Sequence, residues 1–155
     1  MIARPTGRAV VELAAAKIGQ SYVLGALAPK DRSWDGPWDC AELASWVHAR
    51  LVGRVAGGRW FGANRDGDAY SGFWLDDARD FGVIVPPQDA MRIPGAVLLR
   101  RKREGRIGHV AISDGTGGTI EAHSTRRGVI RGTAAGRRWD SAVLVPGIDY
   151  APAEG

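Results

Sequence analysis

Apolar positions in the first third of the chain repeat at the spacing of α-helices. The first set lies on one face of a predicted helix that Gly19 ends: Val10, Leu13, Ala14 and Ile18. The second set predicts a helix that begins at Cys40, with Asp39 as its N-cap: Leu43, Ala44, Val47 and Leu51. A loop rich in Gly, Pro, Asp and Trp joins the two predicted helices over residues 21–39.

The pattern changes along the rest of the chain. Between Gly57 and Gly82 it is ambiguous, apart from one short helix predicted near WLDDARDFG. After Pro94, apolar runs separated by turn residues predict strands over AVLLR, HVAIS, TIEAH, GVIRG and AVLVP. Helices followed by closely spaced strands indicate an α+β fold, in which N-terminal helices pack on a C-terminal antiparallel sheet of about five strands.

Length and composition are those of one globular domain spanning residues 1–155, with 45% hydrophobic and 25% charged residues. No apolar run approaches the roughly 20 residues needed to cross a bilayer, and charges interrupt the start where a secretion signal needs a continuous apolar stretch. We therefore expect cytoplasmic synthesis. A target outside the membrane would require delivery by a phage particle, a secretion system or lysis, or export as part of a longer chain.

A net charge of +4 and a pI near 9.7 suit a polyanionic partner. Nucleic acid and an anionic cell wall both meet that description. Basic side chains are concentrated in residues 100–106 and 126–138, but no recognised nucleic-acid-binding motif accompanies them. Nucleic-acid binding is therefore the alternative from a different functional class. It is the less favoured interpretation, because basic hairpins are usually solvated surfaces.

Cys40 is the only cysteine and a candidate nucleophile, although it could also be the first apolar residue of a buried helix face. At a helix start, the helix dipole and free N–H groups favour a thiolate. A thiol nucleophile needs a base. His48 lies about 12 Å further along the same helix, too far for a hydrogen bond. His109 opens a predicted strand and is the better base.

A neutral imidazole base must be held in one orientation by a third group. Glu121 and His123 lie two residues apart on one face of a predicted strand, and either reaches His109 if the two strands pair. The structural alternatives are that Glu121 is a surface carboxylate paired with Arg126 or Arg127, and that His123 ends its strand in solvent.

The residues in several segments, and the order of these segments along the chain, resemble the NlpC family of papain-like cell-wall cysteine peptidases. These segments are SYVLGA, DCAELASWV, IPGAVLL, GHVAISDGTGGTIEA and GVI, and the resemblance runs from about Val10 to Arg131. It implies a papain-like fold in which Cys40 is the nucleophile and His109 the base. Because the cysteine precedes the histidine, the order argues against the circularly permuted relatives that act as lipid acyltransferases.

The resemblance also implies roles for other residues. Tyr22 matches a tyrosine that helps hold the oxyanion beside the backbone N–H of Cys40, with a core aromatic as the alternative. Asp39 and Trp38, which directly precede Cys40 in the sequence, are the other candidates for contact with the substrate or the oxyanion. The family's third residue is most often a histidine, but its position is Glu121 here. CHAP-type amidases of the same fold class use a carboxylate, so Glu121 is preferred to His123.

The implied substrate is bacterial peptidoglycan or its stem peptides, cut after D-glutamate or at the amide that joins sugar to peptide, without a cofactor. Ala41 and Ala96 depart from the family pattern and leave the subfamily, and with it the bond, open. Four tryptophans flank the predicted groove in sequence, and Trp38 is the one expected to line it. The four are Trp34, Trp38, Trp60 and Trp74.

Two further alternatives remain. A zinc site could use the side chains Cys40, His109, Glu121 and His123, but the chain lacks paired, closely spaced ligands. We therefore expect no metal. A non-catalytic wall-binding or particle-assembly module is also possible, although the presence of both a cysteine and a histidine in the expected order argues against it.

Overall fold

The computed structural model describes residues 4–53, 71–105 and 107–150. Within these ranges three helices precede a sheet, and a short fourth helix lies between its first two strands. The helices are α1 (Gly7–Ala15), α2 (Cys40–Val52), α3 (Ser71–Phe81) and α4 (Pro87–Ala90). The strands are β1 (Val83–Val85), β2 (Val97–Arg100), β3 (His109–Ser113), β4 (Gly118–Ser124), β5 (Gly128–Thr133) and β6 (Ser141–Leu144).

The first two helices begin at side-chain caps. Thr6 accepts a hydrogen bond from the N–H of Ala9 at the start of α1. Asp39 caps α2 as predicted, and Gly53 ends that helix in the left-handed conformation. Helix α1 ends at Ala15 rather than near Gly19, because the chain tightens into turns there, with i to i−3 bonds.

The strands form one antiparallel sheet in the order β1-β6-β2-β3-β4-β5. The predicted α+β fold and the five predicted strands, which correspond to β2 to β6, are confirmed. The prediction missed β1, a three-residue edge strand with two exposed residues and Pro86 directly after it. So short a run shows no alternation of apolar and polar positions, which explains the omission.

Apolar side chains pack on both faces of the sheet. The larger cluster joins α1, α2 and α3 to residues such as Val110, Ile112 and Ile120. A smaller cluster on the opposite face contains Leu98 and Ala111. Helix α2 is buried at every position from 41 to 49, which fixes its N-terminus against β3 and β4. None of the described helices is long and apolar enough to cross a bilayer.

Hydrogen bonds and an ion pair connect the loop before α2 to that helix. The buried Glu42 carboxylate accepts hydrogen bonds from the Lys30 ammonium group and from the backbone N–H of Ala28. Tyr22 and Trp38 form a parallel backbone bridge near the two ends of the loop. These contacts bring Tyr22 next to the residues that open α2.

Candidate active site

Cys40 is the first residue of α2, and its side chain is partly buried. The Asp39 side chain, itself buried, accepts a hydrogen bond from the N–H of Glu42 at 2.8 Å. The Cys40 sulfur receives hydrogen bonds from backbone N–H groups, including that of Val110, the residue after His109. The thiol therefore lies against the start of β3.

Burial and the neighbouring Asp39 carboxylate raise the pKa of the Cys40 thiol to about 12. The backbone N–H groups at the sulfur lower the pKa, in the predicted direction, but they do not outweigh burial. At neutral pH the resting protein therefore holds a protonated thiol. The predicted effect of the helix start is therefore present, but burial and Asp39 oppose it.

Asp39→Asn is expected to lower the pKa of the Cys40 thiol, because asparagine still caps α2 but carries no charge. The rate of Cys40 alkylation by iodoacetamide, measured against pH, should then rise at a lower pH than in the wild type. Asp31→Asn, which changes an exposed carboxylate in the same loop, is the control and should not shift the profile. An unchanged profile in Asp39→Asn would exclude this electrostatic effect.

His109 is the first residue of β3 and is buried. Its Nε2 atom lies 2.8 Å from Oε1 of Glu121 on β4. The register of β3 against β4 puts His109, Glu121 and His123 on one face of the sheet. Because Nε2 is bonded to a carboxylate, Nδ1 is the nitrogen left to act as a base. No hydrogen bond joins the Cys40 thiol to the His109 ring in the described part of the chain.

Glu121 is the centre of a buried polar cluster. The Arg137 guanidinium donates to both of its carboxylate oxygens, each at 2.8 Å, and the Thr119 hydroxyl donates to Oε2. Burial raises the pKa of Glu121, but the hydrogen bonds from His109, Arg137 and Thr119 outweigh it and hold the pKa well below its usual range. The carboxylate is thus charged, and it fixes the orientation of the imidazole.

Gly132 on β5 leaves room for this cluster. A Cβ atom at that position would lie 2.9 Å from the Thr119 hydroxyl oxygen and 3.2 Å from Oε2 of Glu121. Any larger residue there would have to displace the carboxylate or its hydrogen-bond donor.

The sequence does not mark Arg137 as the partner of Glu121. The alternative in which Glu121 is a surface carboxylate paired with Arg126 or Arg127 is wrong, because Glu121 is buried and bonds to Arg137. Arg137 lies in the connection between β5 and β6, and its guanidinium is also 4.8 Å from the ring centroid of Trp139. The Trp139 ring in turn stacks on His109 with centroids 6.2 Å apart. The only signal in the sequence was the general abundance of arginine in residues 126–138.

His123 is not hydrogen-bonded to His109. Its ring centroid lies 6.2 Å from that of His109, in an edge-on arrangement, and its Nδ1 atom is 3.1 Å from the Ser124 hydroxyl. Partial burial lowers the pKa of His123; the Glu121 carboxylate opposes this shift, and nearby positive charges such as Arg127 add to it. Of the two candidates for the third residue, Glu121 is hydrogen-bonded to His109, whereas His123 makes only a ring contact with it.

Tyr22 lies close to Cys40. Burial raises its pKa to about 12, and the proximity of Cys40 and Asp39 contributes to the shift. The N–H of Val23 bonds to the carbonyl of Trp38 at 2.9 Å, which holds this segment against the start of α2. The Tyr22 hydroxyl is therefore protonated and able to donate a hydrogen bond.

The tryptophans are placed differently from the prediction. Trp38 is fully buried, packs edge-on against Trp46 and donates to the Gln20 side chain at 2.7 Å. It lies in the core and does not line a groove, so that expectation is wrong. Trp74 is also buried, Trp34 is partly buried, and Trp60 lies outside the described residues.

His48 does not belong to the site. Its side chain is fully buried against Trp74, and burial lowers its pKa to about 4. Its Nδ1 atom is 2.8 Å from the carbonyl oxygen of Ala44, while Nε2 has no hydrogen-bond partner among the described residues. Within the described ranges, no cluster of three or more His, Cys, Asp or Glu side chains could hold a metal ion.

Several solved structures with a similar fold are NlpC/p60 domains. The NlpC/p60 domain of the peptidoglycan hydrolase SagA is 24% identical, with a TM-score of 0.62 over 90% of this chain and 99% of that one. The P60 domain of a Mycobacterium avium subspecies paratuberculosis antigen is 19% identical, with a TM-score of 0.62 over 91% of this chain and 94% of that one.

An NlpC/p60 family protein from Bacillus cereus is 16% identical, with a TM-score of 0.67 over 97% of this chain but only 42% of that one. Neither a scan against protein-family models nor a search of curated proteins finds a significant match. The similarity to the solved structures shows that the chain has the papain-like fold of NlpC/p60 domains, as the resemblance in its sequence implied.

Proposed function

We propose that the chain is a cysteine hydrolase that cleaves amide bonds in bacterial peptidoglycan. Cys40 is the nucleophile, His109 the base, and Glu121 the group that orients His109. The observation that carries the proposal is the buried bond from His109 to Glu121, next to a cysteine that opens a helix, in an NlpC/p60 fold. SagA, which shares this fold, is a peptidoglycan hydrolase.

The first step transfers the thiol proton of Cys40 to Nδ1 of His109 as the sulfur attacks the amide carbonyl. Because the pKa of the thiol is raised to about 12, His109 has to accept this proton for the sulfur to attack. The charged Glu121 carboxylate stabilises the imidazolium that forms. Arg137 holds the carboxylate in place by donating to both of its oxygens.

The tetrahedral intermediate carries a negative oxygen, which needs hydrogen-bond donors. The backbone N–H of Cys40 at the start of α2 and the protonated Tyr22 hydroxyl are the candidate donors. The imidazolium of His109 then gives its proton to the leaving amine as the carbon–nitrogen bond breaks. Water, deprotonated by the same imidazole, hydrolyses the thioester and restores the thiol.

The substrate is a stem peptide of the wall, cut after D-glutamate or at the amide that joins sugar to peptide. Purified sacculi incubated with the protein should release soluble fragments whose masses identify the new amine and carboxylate ends. Pretreatment with iodoacetamide, which blocks the single cysteine, should stop the release. Sacculi of several chemotypes that yield no fragments would refute the proposed activity.

A further inference from the structure

A cavity of about 340 Å³ opens beside the candidate site. It is lined by His123 at the end of β4 and by three arginines, Arg127, Arg131 and Arg137. Two of these residues connect it to the site. The His123 ring lies 6.2 Å from that of His109, and Arg137 holds the Glu121 carboxylate.

The charges around the cavity do not cancel. Arg137 is paired with Glu121, and Nη1 of Arg131 lies 3.5 Å from an Asp114 carboxylate oxygen. Within the described part of the chain, the Arg127 guanidinium forms no ion pair. Three guanidinium groups therefore face two carboxylates, and one positive charge is left for a ligand.

We propose that this cavity binds a free carboxylate of the substrate, with Arg127 as its principal contact and Arg131 as a second one. A guanidinium group offers paired N–H donors that match the two oxygens of a carboxylate. One uncompensated charge suits a monoanion, and wall stem peptides carry such carboxylates. This inference rests on the proposed function and specifies its substrate, namely stem peptides with a carboxylate near the scissile amide.

Kinetics on a matched pair of substrates test the inference. One is a stem-peptide fragment with a free carboxylate next to the scissile amide, and the other is the same fragment with that group amidated. The wild type should prefer the carboxylate by about tenfold in kcat/KM, as expected for a charge-assisted bidentate contact. Arg127→Gln should reduce the preference to less than about twofold, since a neutral amide cannot replace the guanidinium.

The matched control is Arg126→Gln, which removes an exposed arginine next in sequence that does not line the cavity. This variant should retain the full preference. Equal rates on the two substrates in the wild type, or an unchanged preference in Arg127→Gln, would overturn the inference while leaving the proposed hydrolase intact.

Binding without turnover separates the two proposals. Cys40→Ala protein with ¹⁵N-labelled histidine can be titrated with the carboxylate fragment, with the amidated fragment and with inorganic phosphate. A saturable shift of the His123 signals with the carboxylate fragment alone, absent in Cys40→Ala/Arg127→Gln, supports the cavity even if no cleavage is found. Equal shifts with the amidated fragment, or tighter binding of phosphate, would overturn the assignment of a carboxylate.

Discussion

Replacing Cys40 with alanine is expected to lower the turnover of peptidoglycan fragments at least about 1,000-fold, because the attacking atom is lost. His109→Ala should cause a similar loss, since the thiol of the resting protein is protonated and needs a base to take its proton. The measurement is kcat on a defined stem-peptide fragment, with product identity checked by mass spectrometry.

The fold should survive the first of these substitutions. Cys40 is small and partly buried, so Cys40→Ala should change the free energy of unfolding by no more than about 1 kcal/mol. Chemical denaturation of both proteins provides this control. Cys40→Ser, which keeps the shape but replaces the thiol with a much weaker acid, should also be inactive and folded. Substantial turnover by Cys40→Ala would rule out Cys40 as the nucleophile.

Glu121→Gln is expected to lower kcat about 100-fold or more, because the amide keeps the shape but cannot stabilise the imidazolium of His109. His123→Ala should lower kcat less than about tenfold, since His123 makes no hydrogen bond to His109. Measuring kcat for both variants on one fragment compares the two candidates directly. Equal losses, or a larger loss for His123→Ala, would contradict the assignment of Glu121.

Glu121→Ala adds an effect on stability. The truncation leaves the partly buried Arg137 guanidinium without its carboxylate, which is expected to cost about 3–5 kcal/mol of unfolding free energy. Denaturant unfolding of Glu121→Ala and Glu121→Gln measures this difference. The glutamine variant is therefore the informative one for catalysis, because it keeps an acceptor for the Arg137 N–H groups.

Local features of the structure were predictable from the sequence. The cap at Asp39 and the helix that follows depend on residues a few positions apart, and their spacing predicts them directly. The five longer strands show apolar runs bounded by turn residues. The position of Glu121, 12 residues after His109, placed it within reach once β3 and β4 paired.

Features that depend on distant parts of the chain were not predictable. Arg137 meets Glu121 only because the chain returns beside β4 after β5, and no local spacing marks that contact. The burial of Trp38 depends on how the loop before α2 packs against Trp46. The raised pKa of Cys40 has the same origin, since burial is a property of the folded molecule and not of the helix start alone.

The most direct test of the central claim is to trap the acyl-enzyme. Turnover of a stem-peptide fragment is quenched with acid within one catalytic cycle. Mass spectrometry then measures the mass of the intact protein and of its proteolytic peptides. We predict an added mass equal to the acyl part of the fragment, located on the peptide that contains Cys40. Fragment cleavage with no adduct on Cys40, and with activity retained by Cys40→Ala, would contradict this account.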